Sequence, residues 1–289
     1  MFDKIVIIGM GMIGGSLAQA ARANGTAMRI VALDNNPAHL QYAYQHGMID
    51  NQGNDHGLLA DADLVILAVP VRSYGMVMQQ ILPHLKPDVI VSDVGSTKRS
   101  AMRDAKECLA DKIFIGGHPI AGREKHGPQN AAAEIFKDRW CVLTPDESTP
   151  SQATQKLSDF WHALGSEVEI MTPMHHDRVL AITSHLPQLI ARTIVGTAAA
   201  LEDELQDEVI KFSAGGFRDF TRMAAADPVM WRDIFLENGD AVLEMLQRLS
   251  EDIAGMQKLI RAGDGAALEE VFARAQDIRS RVIAARQAE

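Results

Sequence analysis

The chain has 289 residues, 47% of them hydrophobic, and a formal net charge of −10. Such length suits two domains, and such a composition builds a packed core rather than a disordered chain. The acidic balance argues against nucleic acid and anionic lipid as partners. The two cysteines, Cys108 and Cys141, have no metal-like spacing and argue against a disulfide scaffold.

In chain order, residues 1–9 (MFDKIVIIG) show neither a charged lead-in nor a long apolar run. No signal peptide or membrane span is expected, and the protein reads as cytoplasmic. Strands are expected over residues 4–9, 29–34, 64–69, 89–93, 113–116, 140–143 and 168–171. They are rich in Val and Ile, often on consecutive positions, which suits a parallel sheet covered on both faces. The intervening segments, such as 14–24 and 74–85, have helical apolar spacing. This alternation predicts a doubly wound α/β domain over residues 1–172.

Thr172 is a plausible N-cap with Pro173 at the first helical position. Beyond it the chain reads as all-helical, with segments at about 175–201, 229–260 and 266–285. The second domain is thus expected over 173–289. Its helices carry more apolar surface than one small bundle needs, which predicts a homodimer through this half.

Gly9-Met10-Gly11-Met12-Ile13-Gly14 fits G-x-G-x-x-G directly after a strand. Gly9 would allow the tight turn and Gly11 the approach of a pyrophosphate to the helix N-terminus, formed by Met12 and Ile13. Gly14 would allow close helix–strand packing. Asp34 lies 20 residues beyond Gly14 at the end of the second strand, where a ribose-binding acid is expected. A carboxylate there would repel a 2′-phosphate, so NAD is favoured over NADP. The competing reading is that Asp34 merely caps the next helix. Val69 and Pro70 end another strand at the cofactor edge. Ser96, in Asp93-Val94-Gly95-Ser96-Thr97-Lys98, is a polar candidate near the nicotinamide or an N-cap for a helix from about Thr97.

His118, in the stretch GGHPIAGREKHG, falls at the end of the next strand. An alcohol oxidation needs a base for the hydroxyl proton, and histidine has the right proton affinity. The alternative is a satisfied core histidine. Arg123, Lys125 and His126 then form a basic loop, and Arg218 and Arg222, four residues apart, share a helix side. Guanidinium groups hold carboxylates bidentately, so both features suit an anionic substrate; for Arg218, Asp219 and Asp227 offer a plain salt bridge instead. Ser184 and His185 precede Pro187, whose missing N–H should kink the helix and aim them at substrate. His175-His176 reads as a solvated helix terminus, and no metal-site spacing is present.

Together GMGMIGGS (residues 9–16), DVGSTK (93–98), GGHPIAGREKHGP (116–128), SHLPQLIA (184–191) and GGFRDFTRMA (215–224) resemble the prephenate and arogenate dehydrogenases, the TyrA family of tyrosine biosynthesis. The resemblance spans both halves of the chain. It implies a Rossmann-type domain with an all-helical partner, of the 6-phosphogluconate-dehydrogenase-like kind. It also implies oxidative decarboxylation of prephenate to 4-hydroxyphenylpyruvate and CO2, with hydride passing to NAD. By the same resemblance His118 is the base, Ser96 its neighbour, Arg222 the carboxylate-binding arginine and His185 the group at the side-chain end of the substrate. Glu124 would gate the pocket and Arg218 would be a second cation. Arg123 departs from the small residue expected there, which bears on the charge of that loop. Arogenate, with its added ammonium, is the alternative substrate, either alone or together with prephenate as in a dual-substrate cyclohexadienyl dehydrogenase, and Glu124 could face it. Other two-domain NAD(P) enzymes would place a Lys, Asp or Tyr on the interdomain helix, where His185 stands. A non-catalytic NAD sensor would lack both base and anion clamp.

Overall fold

The computed structural model describes residues 1–122, 125–201, 208–209 and 211–284. Its centre is an eight-stranded sheet: β1 Phe2–Ile8, β2 Ala27–Leu33, β3 Asn51–Gly53, β4 Leu64–Leu67, β5 Ile90–Asp93, β6 Ile113–Pro119, β7 Trp140–Thr144 and β8 Glu167–Ile170. The spatial order is β3-β2-β1-β4-β5-β6-β7-β8. All seven expected strands are present. The eighth, β3, is a polar three-residue edge strand with no apolar run to announce it.

The sheet is parallel from β3 through β6, but β7 runs antiparallel to β6. The parallel sheet expected from the sequence is present at every pairing but this one. The physical reason is that β6 changes partners along its length. Ile113–Ile115 pair with β5, while Gly116–Pro119 pair with β7. β6 thus overshoots the carboxyl end of β5, and His118 lies inside a strand rather than in a loop.

Strand β1 shows why its apolar run is unbroken. Ile5 and Ile7 pack on one face of the sheet with Leu17, Phe136 and Trp161. Val6 and Ile8 pack on the other with Tyr74, Met78 and Phe114. The first layer is closed by α1 Met12–Ala23, α2 Pro37–Gln45 and α5 Ser151–Ala163. The second is closed by α3 Tyr74–Ile81 and α4 Arg99–Cys108. Both cysteines are free and buried.

After the sheet, Thr172 caps α6 Pro173–Leu180 by accepting the His175 N–H, as the sequence predicts. A π-helical turn, Ala181–His185, leads into α7 Leu186–Ala199. Pro187 cannot donate to the preceding turn, and the wider π turn just ahead of it is how the helix absorbs that loss. Then come α8 Gly215–Thr221, α9 Pro228–Glu237, α10 Gly239–Ala262 and α11 Gly265–Ala284. The expected helix over 229–260 is broken at Asn238. Compactness divides the described chain in two, one unit Met1–Gly239 and the other beginning at Asp240. In the second unit, α10 and α11 expose Leu243, Ile253, Ile260, Phe272 and Ile278. No helix among the described residues is long and apolar enough to cross a membrane.

Candidate active site

Strand order reverses between β1 and β4, and the carboxyl ends of the central strands carry the residues singled out by sequence. Gly9 follows β1 with φ +100°, and a Cβ there would lie 2.5 Å from the Ala68 carbonyl oxygen beyond β4. Val69 packs against the same turn, and Pro70 stands exposed at its rim. A Cβ on Gly14 would meet the Gly9 oxygen at 2.0 Å, so only glycine lets α1 sit this close to the strand. Gly11 faces open space, and no side chain caps α1. The first N–H groups of α1, around Met12 and Ile13, are therefore left for an anion, which fits a dinucleotide pyrophosphate.

Asp34 follows β2 and does not cap α2; the Asn36 side chain does, accepting the Ala38 N–H at 3.0 Å. Asp34 Oδ2 accepts the Met10 N–H and Oδ1 the Asn36 N–H at 2.6 Å. These bonds hold the carboxylate against the glycine turn, with the His39 ring 3.5 Å away. Ser96 lies half-buried beyond β5. It caps no helix either: α4 begins at Arg99, and Asp177 caps it from a distant segment, accepting the Lys98 and Arg99 N–H groups at 2.8 and 3.0 Å.

His118 is buried, and its Nδ1 lies 2.8 Å from Nε2 of His176. His176 Nδ1 in turn lies 2.8 Å from Asp177 Oδ1. The expected solvated His175-His176 terminus is therefore half wrong. His175 is exposed, but His176 and Asp177 are buried. Neighbouring helical residues point about 100° apart, so one member of the pair faces water and the other the site. The readable signal was Leu180 and Ala181, which put an apolar stripe on the side of 176 and 177.

The hydrogen bonds fix the tautomers. The Asp177 carboxylate can only accept, so His176 Nδ1 carries a proton and His176 Nε2 is an acceptor. His118 Nδ1 must then donate, which leaves His118 Nε2 with a free lone pair. Burial, then the neighbouring His176, Lys98 and His185 side chains, push the proton affinity of His118 well below the ordinary histidine range. Burial would raise the Asp177 carboxyl, but bonds from His176, Lys98 and Arg99 outweigh it and hold it below its usual value.

His185, on the π turn, is fully buried. The Asn238 amide donates to the Asp177 carbonyl at 2.8 Å and lies 3.1 Å from His185 Nδ1. His185 Nδ1 is then the acceptor and Nε2 carries the proton. Within the described residues, that Nε2 has no partner. Ser184 is half-buried beside it. Arg218 on α8 and Arg222 just after it are both exposed. The turn Arg222–Ala225 is tied to α7 by the Gln188 amide on the Met223 carbonyl, 2.7 Å, and by Arg192 on the Ala226 carbonyl, 2.7 Å. Lys125 and His126 are exposed, while Arg123 and Glu124 lie outside the described residues. The structure thus unites His118, His176, Asp177, His185 and Asn238. Asn238 marks the break between α9 and α10 and gave no signal in the sequence.

Burial lowers the His185 pKa from 6.5 to about 4. Its folded value is depressed, so the unfolded chain binds the extra proton and stability falls on acidification. The loss begins near the unfolded value and amounts to about 2 kcal/mol between about pH 6.5 and 5. His118 and His176 act in the same direction. The melting temperature should therefore drop over that window, and His185→Gln should flatten the drop. An equally steep drop in that variant would refute the account.

A glycine turn at the switch point of a Rossmann-type sheet, and a buried histidine with a free lone pair on β6 of the same sheet, fit a nicotinamide-nucleotide-dependent dehydrogenase. The family model "Prephenate dehydrogenase, nucleotide-binding domain" matches residues 17–170, and "Prephenate dehydrogenase, dimerization domain" matches 172–274. The chain belongs to the prephenate dehydrogenase family. It is 39% identical over 280 residues to the cyclohexadienyl dehydrogenase of Zymomonas mobilis, covering 96% of each chain. Its fold matches that of A. aeolicus prephenate dehydrogenase in complex with hydroxyphenyl propionate and NAD+ with a TM-score of 0.92, at 32% identity and 98% and 99% coverage. It also matches Synechocystis arogenate dehydrogenase with a TM-score of 0.85, at 28% identity and 96% and 99% coverage.

Proposed function

We propose that the enzyme oxidises prephenate with NAD and releases CO2, with His118 Nε2 taking the ring hydroxyl proton. The observation that carries this reading is the hydrogen-bonded series Asp177–His176–His118, which leaves that one nitrogen free to accept. A bound nicotinamide supplies the hydride acceptor. Removing the hydroxyl proton as hydride leaves gives a ring ketone, which favours loss of the ring carboxylate and aromatisation. His176 and Asp177 orient the base, and Ser96 stands near the reacting centre. The unpartnered N–H of His185 suits a carboxylate or carbonyl at the side-chain end of the substrate, with Ser184 beside it. Arg222 and Arg218 supply cations for an anionic substrate. Glu124 remains the proposed gate.

The cofactor set is Gly9, Gly11, Met12, Ile13, Gly14, Asp34, Val69, Pro70 and Ser96. NAD over NADP rests on the Asp34 carboxylate beside the glycine turn. We place the functional division at residues 172–173, beside the point where the nucleotide-binding match ends, at residue 170, and the dimerization match begins, at residue 172. The exposed apolar faces of α10 and α11 support a homodimer through that half. Two buried free thiols suit a reducing cytoplasm.

Arogenate is a second reading, favoured by the likeness to the Synechocystis arogenate dehydrogenase, and use of both substrates is favoured by the likeness to the Zymomonas cyclohexadienyl dehydrogenase. Reduction of NAD and of NADP, measured by absorbance with prephenate and with arogenate separately, tests all of this. The expected result is fast NAD reduction with prephenate and slow reduction of NADP. Asp34→Asn should narrow the cofactor preference by at least tenfold. A rate with arogenate above that with prephenate would reverse the substrate assignment, and equal use of NADP would remove the role given to Asp34.

A further inference from the structure

Two charges lie beneath the site, and the proton transfer proposed above uses neither. Asp93 ends β5, Lys98 precedes α4, and both side chains are fully buried. The Lys98 ammonium donates to Asp93 Oδ2 and to the Gly117 carbonyl oxygen, 2.6 Å away. Asp93 Oδ1 accepts the Gly117 N–H at 3.0 Å, and Oδ2 accepts the Gly95 N–H at 2.8 Å. Gly117 immediately precedes His118, and Gly95 immediately precedes Ser96. The pair therefore holds both backbone polar groups of the residue before the base and one of the residue before its neighbour. This grip needs glycine, because a Cβ on Gly117 would come within 2.6 Å of the Asp93 carbonyl oxygen.

Burying an ion pair is an expensive way to fill a core, and an apolar pair of similar volume often serves stability as well. The directional bonds to Gly117 and Gly95 are what an apolar pair could not supply. We infer that Asp93 and Lys98 are positioning residues for the oxidation: they fix the backbone beneath His118 and Ser96, and their opposite charges set the field in which His118 takes up a proton. This deepens the reading of His118 as the base and rests on it.

The groups facing His118 bear on the field. Lys98 and Asp93 lie on the β5 side, His176 and Asp177 on α6, His185 on the π turn, and Cys141 on β7. Burial pushes the Cys141 thiol up, so it stays neutral. The ring therefore feels one fixed cation, two carboxylates and two neutral rings. Burial lowers the proton affinity of Lys98, and the Asp93 and Asp177 carboxylates oppose this. The Lys98 cation helps keep His118 unprotonated.

Charge reversal separates a field from a mere brace. A base must be unprotonated, so kcat/KM falls as pH drops through its pKa. In Lys98→Met the Asp93 carboxylate is left uncompensated, and this acid limb should move up by roughly one unit. In Asp93→Asn the Lys98 cation is left alone, and the limb should move down by a similar amount. The double variant should restore the wild-type limb while kcat stays at least tenfold low, because Gly117 has lost its donor. Dinucleotide binding should survive throughout.

Limbs that move the same way, or not at all, would overturn the inference. So would Lys98→Met with wild-type kcat. If the single variants fail to fold, the double variant leaves neither charge unpaired and still decides: wild-type kcat in it would overturn the positioning role. His118→Asn is run alongside. Wild-type turnover there would remove the base assignment itself, a different failure from that of the pair.

Discussion

Replacing His118 by Asn is expected to lower kcat by roughly a thousandfold, with the dissociation constant for NAD unchanged. Asparagine is close in size and can keep a hydrogen bond to His176, so β6 and its pairing with β7 should persist. It has no basic nitrogen, so in the proposed mechanism the hydroxyl proton has no acceptor. General base catalysis contributes roughly a hundred- to ten-thousand-fold, which sets the scale of the loss. The wild-type profile should add a second signature. His118 binds its proton well below the ordinary histidine range, so activity should persist into mildly acidic solution before the acid limb appears. In the variant that limb should vanish. Turnover numbers with prephenate, read beside cofactor binding by fluorescence quenching, separate chemistry from folding. Full activity in the variant would mean that another group takes the proton.

Most of the fold was legible because its signals are local. Ile5, Val6, Ile7 and Ile8 are apolar on both sides of the sheet, and the Gly9–Gly14 turn follows them directly. Thr172 and Pro173 announce α6 through capping chemistry alone. What failed was tertiary. The antiparallel β7 has the same Val and Leu content as a parallel strand, so composition could not reveal its direction. The break at Asn238 exists because its amide serves Asp177 and His185, some 60 and 50 residues back in the chain. His118 and His185 could be picked out singly, because each sits in a distinctive local stretch. The link between them could not. His176 and Asp177 look like a polar helix start until the sheet is placed against them, and Lys98 reads as an ordinary surface lysine until Asp93 and Gly117 enclose it.

In the proposed mechanism Asp177 is the most exacting of the positioning residues. Asp177→Asn should lower kcat by roughly a hundred- to ten-thousand-fold while NAD still binds. The carboxylate accepts from three donors: His176 Nδ1 and the backbone N–H groups of Lys98 and Arg99. An asparagine has one acceptor oxygen, and the two N–H groups at the start of α4 compete for it. Its amide then turns toward His176 Nδ1 and donates, which moves the His176 proton to Nε2. His118 Nδ1 becomes the acceptor, and the proton on His118 settles at Nε2, where the substrate hydroxyl must deliver its own. The base is present, in place and blocked. A purely structural role predicts something different: a lower melting temperature with kcat and KM changed together. The tautomer account predicts a loss confined to kcat, with partial recovery in Asp177→Glu, whose carboxylate can again accept from His176. If Asp177→Glu is no better than Asp177→Asn while both melt at the wild-type temperature, the orientation of His118 does not depend on this carboxylate.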